Sequence, residues 1–288
     1  MEFSLDTKMI ALLGYPLRQS FAAKMQNRVY QALGLDSFYL PIECPTLEDF
    51  DDVLKGFRKM NIGGFAVTKP YKEKILPYLD DIDDIAKKMG SCDTVQVVDG
   101  KWKGYNTDGI GAYRSITEEG GVTTEGKVFF SFGAGGTARS VCFELANHGA
   151  KKIILSSRSE ACEAVANEIN GFFPGVCEAV RSADKDKIIE LLKTADVVLN
   201  LTGLGMGDHI GETPIEKEYL SANQVCFDAI YNPAKTQFLL DAEAQGCKII
   251  NGLGMSVYQG SRQIGIWNNI PDPDAETFAA IKEVLGIE

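Results

Sequence analysis

The stretch Ser131-Phe132-Gly133-Ala134-Gly135-Gly136-Thr137-Ala138-Arg139 directly follows the apolar run Val128-Phe129-Phe130 and decides the fold. This pattern is typical of a strand that ends in a glycine turn and continues as a helix. Such a turn directs backbone N–H groups and the positive end of the helix dipole at one spot, which suits a pyrophosphate. A plain tight turn can carry the same glycines, so both interpretations stay open at this point.

Length and composition narrow the class of protein. The length of 288 residues predicts two domains, and 45% apolar with 24% charged residues is typical of a folded chain. The net charge of −11 argues against a nucleic-acid partner, because binding a phosphate backbone needs a basic face. No long apolar run and no basic leader at Met1-Glu2-Phe3-Ser4 are present. We expect a cytoplasmic protein without a membrane partner, either a monomer or a homodimer.

The cysteines and histidines predict no metal site. Seven cysteines are scattered without a Cys-x-x-Cys pair, so we expect reduced core residues. The two histidines, His148 and His209, do not have metal-ligand spacing. A general acid or base in this chain is therefore expected not to be histidine.

Apolar runs and turn residues predict alternating strands and helices. The first half predicts strands at 9–13, 38–40 and 64–68, a hairpin of 94–98 with 102–105, a helix capped by Ser20 and a helix at 47–60. The second half predicts strands at 128–132, 152–155, 197–200, 225–228 and 248–250, and helices at 137–147, 160–169 and 255–267. The predicted fold class is α/β, with an N-terminal α/β domain and a Rossmann-type doubly wound parallel-sheet domain.

Short motifs follow one another along the chain. They are Gly14-Tyr15-Pro16-Leu17-Arg18-Gln19-Ser20, Val67-Thr68-Lys69-Pro70-Tyr71-Lys72-Glu73, Asn106-Thr107-Asp108-Gly109, the loop 133–138, Asp228-Ala229-Ile230-Tyr231-Asn232-Pro233, and Asn251-Gly252-Leu253-Gly254-Met255 with Gln259 beyond it. In this order and spacing the chain resembles the shikimate/quinate dehydrogenase family over essentially its whole length, and within it the quinate/shikimate branch.

The resemblance implies both a domain plan and an activity. Residues 1–109 would form a substrate-binding catalytic domain, residues 110–251 a Rossmann dinucleotide-binding domain, and residues 252–288 helices that return to the first domain. The implied activity is hydride transfer between NAD(P) and a hydroxylated ring carboxylate of the shikimate/3-dehydroshikimate or quinate type.

Lys72 and Asp108 are the catalytic pair that the resemblance implies. Reduction of a ketone leaves charge on oxygen, so a cation or proton donor must lie against it. A lysine ammonium held by a carboxylate can polarise that oxygen and deliver the proton. The alternative for each residue alone is a solvated lysine and an aspartate that caps a helix.

The residues implied to bind substrate include matches and departures. Ser20, Thr68, Tyr231 and Gln259 match positions that hold the carboxylate and hydroxyls of the substrate. Ala22 lacks the second hydroxyl usual there, and Ala66 and Asp93 stand where asparagine is common. These departures predict a cyclic polyol other than shikimate, or a substrate with an amino group that Asp93 pairs with. Lys69 is a candidate substitute cation for the substrate carboxylate.

The cofactor-binding residues implied by the resemblance follow the predicted strands of the second half. They are Gly133, Ala134, Gly135, Gly136, Thr137, Ser157, Arg158, Ala229 and Gly252. Arg158 between serines favours NADP, because arginine suits the 2′-phosphate. Glu160 and Cys162 favour NAD instead, since one is acidic and the other replaces a downstream basic residue. We predict NADP, with NAD as the alternative.

Two other functions stay open from the sequence. One is a dehydrogenase for a different polyol or an aminoshikimate-like substrate. The other is a catalytically weak ligand sensor, which the altered carboxylate shell would allow.

Overall fold

The computed structural model describes residues 4–18, 20–60 and 62–286, so Gln19 of the first motif and Met1, Glu2 and Phe3 of the N-terminus lie outside the described residues. The chain divides into a first unit of Met1–Thr107 with Val257–Glu288 and a second unit of Asp108–Ser256. The domain plan of 1–109, 110–251 and 252–288 stays a prediction. Each unit contains its own six-stranded sheet.

The N-terminal part of the first unit alternates strands and helices. Its elements are β1 (Lys8–Gly14), α1 (Ala22–Leu33), β2 (Ser37–Glu43), α2 (Leu47–Phe57), β3 (Ile62–Val67), β4 (Asp81–Ile82), α3 (Asp84–Met89), β5 (Thr94–Val98) and β6 (Lys101–Tyr105). The sheet order is β2-β1-β3-β5-β6-β4, with β1 parallel to β2 and β3, and β5 antiparallel to β3 and β6. Positive φ at Asp99 and Gly100 closes the predicted β5–β6 hairpin.

The second unit is a parallel sheet with helices between its strands. Its elements are α4 (Asp108–Arg114), β7 (Val128–Phe132), α5 (Gly136–Asn147), β8 (Lys152–Ser157), α6 (Ala161–Phe172), β9 (Cys177–Arg181), α7 (Lys185–Leu192), β10 (Val197–Asn200), β11 (Val225–Asp228), α8 (Gln237–Ala244) and β12 (Lys248–Ile250). The order β12-β11-β10-β7-β8-β9 is the Rossmann order, so the predicted fold class is confirmed.

The remaining elements complete the chain. Helices α9 (Leu253–Asn268) and α10 (Asp274–Leu285) follow β12, and the division between the units falls within α9. Short 3-10 helices span Leu76–Tyr78, Gly207–His209 and Lys217–Tyr219, and a π-helical turn spans Ser115–Glu119. Across the described ranges, the helices are too short or too polar to cross a bilayer.

Aromatic side chains form much of the core of the first unit. Phe65 of β3 meets Trp102 edge-on at 5.0 Å and Phe57 at 5.4 Å between ring centroids. The guanidinium of Arg58 covers the Trp102 ring at 3.8 Å. All seven cysteines of the chain are buried, in agreement with the prediction that they are core residues.

Some elements differ from their predictions. The N-cap of α1 is Phe21 rather than Ser20, and the Ser20 hydroxyl accepts a bond from the Ala22 N–H at 3.3 Å. Strand β9 has no predicted counterpart, because its sequence Cys-Glu-Ala-Val-Arg mixes charged and apolar residues without an apolar run. It is an edge strand of the sheet, where apolar continuity is not required.

Candidate active site

Lys72 lies in a loop after β3 that is anchored by its neighbour Tyr71. The Tyr71 hydroxyl donates to the Cys44 carbonyl at 2.6 Å, and its ring stacks on Phe50 with centroids 4.2 Å apart. The Cys92 N–H donates to the Lys72 carbonyl at 2.8 Å. These contacts fix the backbone on both sides of Lys72, whose side chain is 25% exposed.

Asp93 is a buried carboxylate beside Lys72. The Lys72 ammonium lies 3.9 Å from Oδ2 of Asp93, whose side chain is 1% exposed. Oδ1 accepts from the Thr94 hydroxyl at 2.7 Å and from the Thr107 hydroxyl at 2.8 Å. The Thr107 N–H lies 2.9 Å from both oxygens. The structure therefore brings Lys72 together with Asp93, one of the positions where the chain departs from the pattern of the family it resembles.

Two titratable neighbours of this ion pair, Cys92 and Tyr39, stay neutral at ordinary pH. Burial raises the pKa of the Cys92 thiol to about 12, and the negative charge of Asp93 adds to that increase. Burial likewise raises the pKa of Tyr39, with a further contribution from Asp93. The charges at this site are therefore those of Lys72 and the carboxylates near it.

Two buried amides continue the hydrogen-bond network away from Asp93. Gln263 of α9 donates from Nε2 to the hydroxyls of Thr94 at 3.0 Å and Thr107 at 3.4 Å. Its Oε1 accepts from Nε2 of Gln26 in α1 at 3.4 Å. The sequence offered no signal for this network, since Gln26 and Gln263 lie 237 residues apart in helices with ordinary patterns.

The predicted substrate positions of the first unit differ in exposure. Ser20 is exposed, whereas Ala22, Thr68 and Gln259 are half-buried. Thr68 packs on the end of β1, because a Cβ at Gly14 would lie 2.3 Å from its methyl group. Their contacts with substrate stay predictions.

The departure at Ala66 and the candidate substitute cation Lys69 lie in different surroundings. Ala66 is buried in β3, paired with Thr94 of β5, and is 3% exposed. Lys69 is exposed.

Asp108 opens helix α4 and is 7% exposed. It belongs to the second unit, whereas Lys72 belongs to the first. The catalytic pairing of Lys72 with Asp108 stays a prediction.

The candidate cofactor residues lie after the carboxyl ends of the parallel strands of the second unit. Gly133 follows β7, Arg158 follows β8, Ala229 follows β11 and Gly252 follows β12. Because these strands are parallel, their carboxyl ends lie along one edge of the sheet. The strand order reverses between β7 and β10, where ligands of this fold bind.

The glycine loop after β7 has both close contacts and open space. Gly133 has φ of 107°, and a Cβ there would lie 2.6 Å from the Leu201 carbonyl oxygen. Gly135 is the N-cap of α5 without a side-chain cap, and a Cβ on Gly135 or Gly136 would meet nothing within 4 Å. Gly133 is thus required by the fold, whereas Gly135 and Gly136 leave the start of α5 open.

The loop after β8 places a cation next to a polar turn. The Ser157 hydroxyl donates to the Ser159 carbonyl at 2.7 Å and accepts from the Cys162 N–H at 3.2 Å. Arg158 is exposed in this turn, while Cys162 is fully buried. Cys162 is therefore a core residue of α6.

Arg181 is a charged neighbour of this loop that sequence reasoning missed. It ends β9 in register with Ser157 and forms ion pairs with Glu163 and, at 3.4 Å, with Glu160. The hydrogen bond from Arg181 lowers the pKa of Glu163 to about 2. Recognising β9 as a strand would have placed Arg181 here. Glu160 therefore faces a cation of its own unit.

A buried aspartate orders the ends of β10 and β11. Asp228 accepts from Asn200 Nδ2 at 3.0 Å, from the Thr236 hydroxyl at 2.6 Å and from the Ile230 N–H at 2.9 Å. Burial raises the pKa of Asp228, and these bonds oppose that effect.

The segment that follows carries other candidate residues. A Cβ at Gly252 would lie 2.1 Å from the Ala229 carbonyl oxygen, so the two backbone segments approach each other closely here. Tyr231 is half-buried, and burial raises the pKa of its hydroxyl. Among the residues that the structure describes, no group of three or more His, Cys, Asp or Glu is arranged to hold a metal ion.

Known proteins resemble this chain over nearly its whole length. Residues 12–95 match the family model "Shikimate dehydrogenase substrate binding domain". Shikimate dehydrogenase (NADP(+)) of Alkaliphilus metalliredigens is 39% identical over 93% of this chain and 94% of its own. Shikimate 5-dehydrogenase from Listeria monocytogenes, solved with shikimate and NAD, has a TM-score of 0.92 at 32% identity and covers 99% of this chain and 98% of its own.

A solved structure whose name refers to a substrate other than shikimate is also similar to this chain. The 5-ketofructose reductase of Gluconobacter sp. strain CHM43 has a TM-score of 0.86 at 29% identity, covering 98% of this chain and 100% of its own.

A single substitution separates the two interpretations of the glycine loop. Because a Cβ at Gly135 meets no atom within 4 Å and its φ of −82° suits alanine, Gly135→Ala should leave the melting temperature unchanged. If the start of α5 binds a pyrophosphate, the added methyl should raise the dinucleotide Kd, measured by calorimetry, by about tenfold or more.

The control is Gly133→Ala, which clashes with backbone and should lower the melting temperature by itself. Unchanged dinucleotide binding by a folded Gly135→Ala protein would show that the loop is only a tight turn.

Proposed function

The chain belongs to the shikimate dehydrogenase family, and from this membership we propose that it transfers a hydride between NADP and a hydroxylated ring carboxylate of the shikimate/3-dehydroshikimate type. The resemblance drawn from the sequence motifs is thereby confirmed at the level of the family, and with it the assignment of the protein as an oxidoreductase. The observation that carries the proposal is the ammonium of Lys72 held 3.9 Å from the buried carboxylate of Asp93.

Lys72 is the proposed proton donor. Bound NADPH supplies the hydride for reduction of a ketone. The negative charge that develops on the carbonyl oxygen needs a cation beside it, and the ammonium of Lys72 meets that need and delivers the proton. In the reverse direction neutral Lys72 accepts the proton of the hydroxyl. Asp108 is proposed as the second member of the catalytic pair.

The second unit offers a place for a dinucleotide. Gly135 and Gly136 leave room at the start of α5, where free N–H groups and the helix dipole favour a pyrophosphate. Ala134 and Thr137 flank these glycines, and Ala229 and Gly252 lie at neighbouring strand ends. We propose these residues as the cofactor site.

NADP is the proposed cofactor rather than NAD. Arg158 is exposed after β8, where a guanidinium can bind the 2′-phosphate, and Ser157 lies beside it. Glu160 is the acidic residue that would oppose this choice, but its carboxylate lies 3.4 Å from the guanidinium of Arg181. Relatives are named for NADP, which supports the same choice.

Ser20, Thr68, Tyr231 and Gln259 are the proposed contacts of the substrate carboxylate and hydroxyls. Ala22 leaves the carboxylate with one hydroxyl fewer, and the remaining Ser20 hydroxyl already accepts from the Ala22 N–H. A lost bond to a charged group costs about 1.5–3 kcal/mol. We therefore expect weaker binding of carboxylate substrates than the usual pair of hydroxyls would give.

A second candidate substrate is an uncharged polyhydroxy ketone. Ala22 favours it, because a substrate without a carboxylate loses nothing from the missing hydroxyl. A protein of the same fold and 29% identity is named 5-ketofructose reductase, which is the name of an enzyme for such a ketone.

The working form is proposed to be a monomer or homodimer in the cytoplasm, with neither nucleic acid nor membrane as a partner. The buried cysteines suit a reducing compartment, and the net charge of −11 disfavours nucleic acid.

Turnover of a substrate panel tests the proposed activity. NADPH oxidation should be observed with 3-dehydroshikimate, and Lys72→Ala should lower its kcat by about 10²–10⁴-fold because the proton donor is lost. Lys74→Ala removes an exposed lysine of the same loop and is the control expected to keep activity. Binding without turnover by the wild-type protein would identify a sensor and refute the proposal.

The same panel separates the two substrates. Turnover of 5-ketofructose in preference to 3-dehydroshikimate would favour the uncharged ketone. In that case Ala22→Ser should leave KM unchanged, whereas for a carboxylate substrate the added hydroxyl should lower KM by about tenfold.

Arg158→Ala tests the cofactor assignment. Loss of the guanidinium should raise KM for NADPH by about 10- to 100-fold and change KM for NADH little, since only NADPH carries the phosphate. Steady-state kinetics with both cofactors measures this difference. Equal effects on both cofactors would contradict the assigned role of Arg158.

A further inference from the structure

We propose that Asp93 is a positioning residue whose carboxylate, fixed by Thr94 and Thr107, keeps the Lys72 ammonium protonated for proton transfer to the substrate. The inference rests on the proposed function in one respect, the assignment of Lys72 as proton donor. It gives Asp93 a role that acts through Lys72 in place of the contact with substrate predicted from the sequence.

The directions of the hydrogen bonds fix Asp93 as an acceptor. An amide nitrogen can only donate, so both threonine hydroxyls accept from Gln263 Nε2. Each hydroxyl then has its single proton left to give, and Oδ1 of Asp93 lies 2.7 Å and 2.8 Å from these hydroxyl oxygens. When hydrogen bonds in a row all donate in the same direction, each bond strengthens the next. The Asp93 side chain, at the end of this row, is therefore favoured as an ionised carboxylate.

The orientation of Gln263 is itself determined by its neighbour. Gln26 Nε2 lies 3.4 Å from the Gly260 carbonyl, which can only accept, and 3.4 Å from Gln263 Oε1. The oxygen of Gln263 therefore faces Gln26 and its nitrogen faces the threonines. Gln26 and Gln263 are both buried, so water does not compete for these bonds.

The two oxygens of Asp93 have different surroundings. Oδ1 accepts from both threonine hydroxyls and from the Thr107 N–H. Oδ2 shares the Thr107 N–H and faces the Lys72 ammonium at 3.9 Å.

Several other titratable groups lie near Lys72 and Asp93 along the chain or in space. Cys92 and Tyr39 beside the pair are neutral, and Tyr30 beside Tyr39 also has its pKa raised, first by burial. Glu73 next to Lys72 is exposed, and Asp108, the proposed catalytic partner, is unchanged in the experiment below. Asp93 is a buried carboxylate that lies 3.9 Å from the ammonium of Lys72.

Competitive acetylation of lysines tests the inference without any substrate. Only neutral amines react, so peptide mass spectrometry across pH gives the midpoint at which each lysine of the loop loses its proton. In the wild-type protein, the midpoint of Lys72 should lie above those of exposed Lys69 and Lys74, because the attraction of Asp93 outweighs partial burial. A midpoint equal to theirs or below would overturn the proposal even if no variant folds.

Asp93→Asn removes the charge and should lower the Lys72 midpoint by about 1 pH unit. The matched control is Asp83→Asn in the same unit, where the carboxylate caps α3 through the Ile85 N–H at 3.1 Å and asparagine caps equally well. It should leave the Lys72 midpoint unchanged. Equal midpoints in the Asp93→Asn and wild-type proteins would contradict the proposal.

Kinetics separate this inference from the proposed function. Reduction needs the ammonium, so the basic limb of kcat/KM against pH should move to lower pH in Asp93→Asn by the same amount as the acetylation midpoint. Turnover with an unmoved limb and midpoint would refute the role of Asp93 alone. A shifted midpoint in a protein that turns over no substrate would refute the proposed function alone.

Discussion

The buried carboxylate of Asp93 needs hydrogen-bond donors and a cation nearby, and the groups that supply them connect much of the first unit. Its partners come from β5, from the segment that follows β6 and from the loop after β3. Helix α9 joins through Gln263 and α1 through Gln26, so one network connects five parts of the unit. An unpaired buried charge is costly, and the members of the network together hold the carboxylate beside which Lys72 lies.

The second unit follows a different constraint, the common direction of its strands. Parallel strands end at one edge, and there the glycine loop leaves open space at the start of α5, which has no side-chain cap. Gly133 is needed because backbone approaches it, whereas Gly135 has open space that a ligand can use. The proposed function needs both units: one holds a charged proton donor and the other offers a place for a dinucleotide.

Local patterns predicted the fold well because most strands are apolar runs bounded by turn residues. They failed at β9, an edge strand with charged residues, and so missed Arg181 beside the cofactor loop. The sequence also drew attention to Asp93 but gave no signal for its partners Thr94, Thr107 and Lys72. The contact of Asp93 with substrate stays a prediction, and the network around its side chain is a finding of the structure alone. Bonds between residues far apart in the chain carry no local signal.

Deuterium transfer tests the central claim most directly. The wild-type protein is incubated with 3-dehydroshikimate and NADPH in which both hydrogens of the transferring nicotinamide carbon are deuterium, and the product is analysed by NMR. Direct hydride transfer predicts that the label appears on the carbinol carbon of the product. A product without the label, or no product at all, would contradict the account.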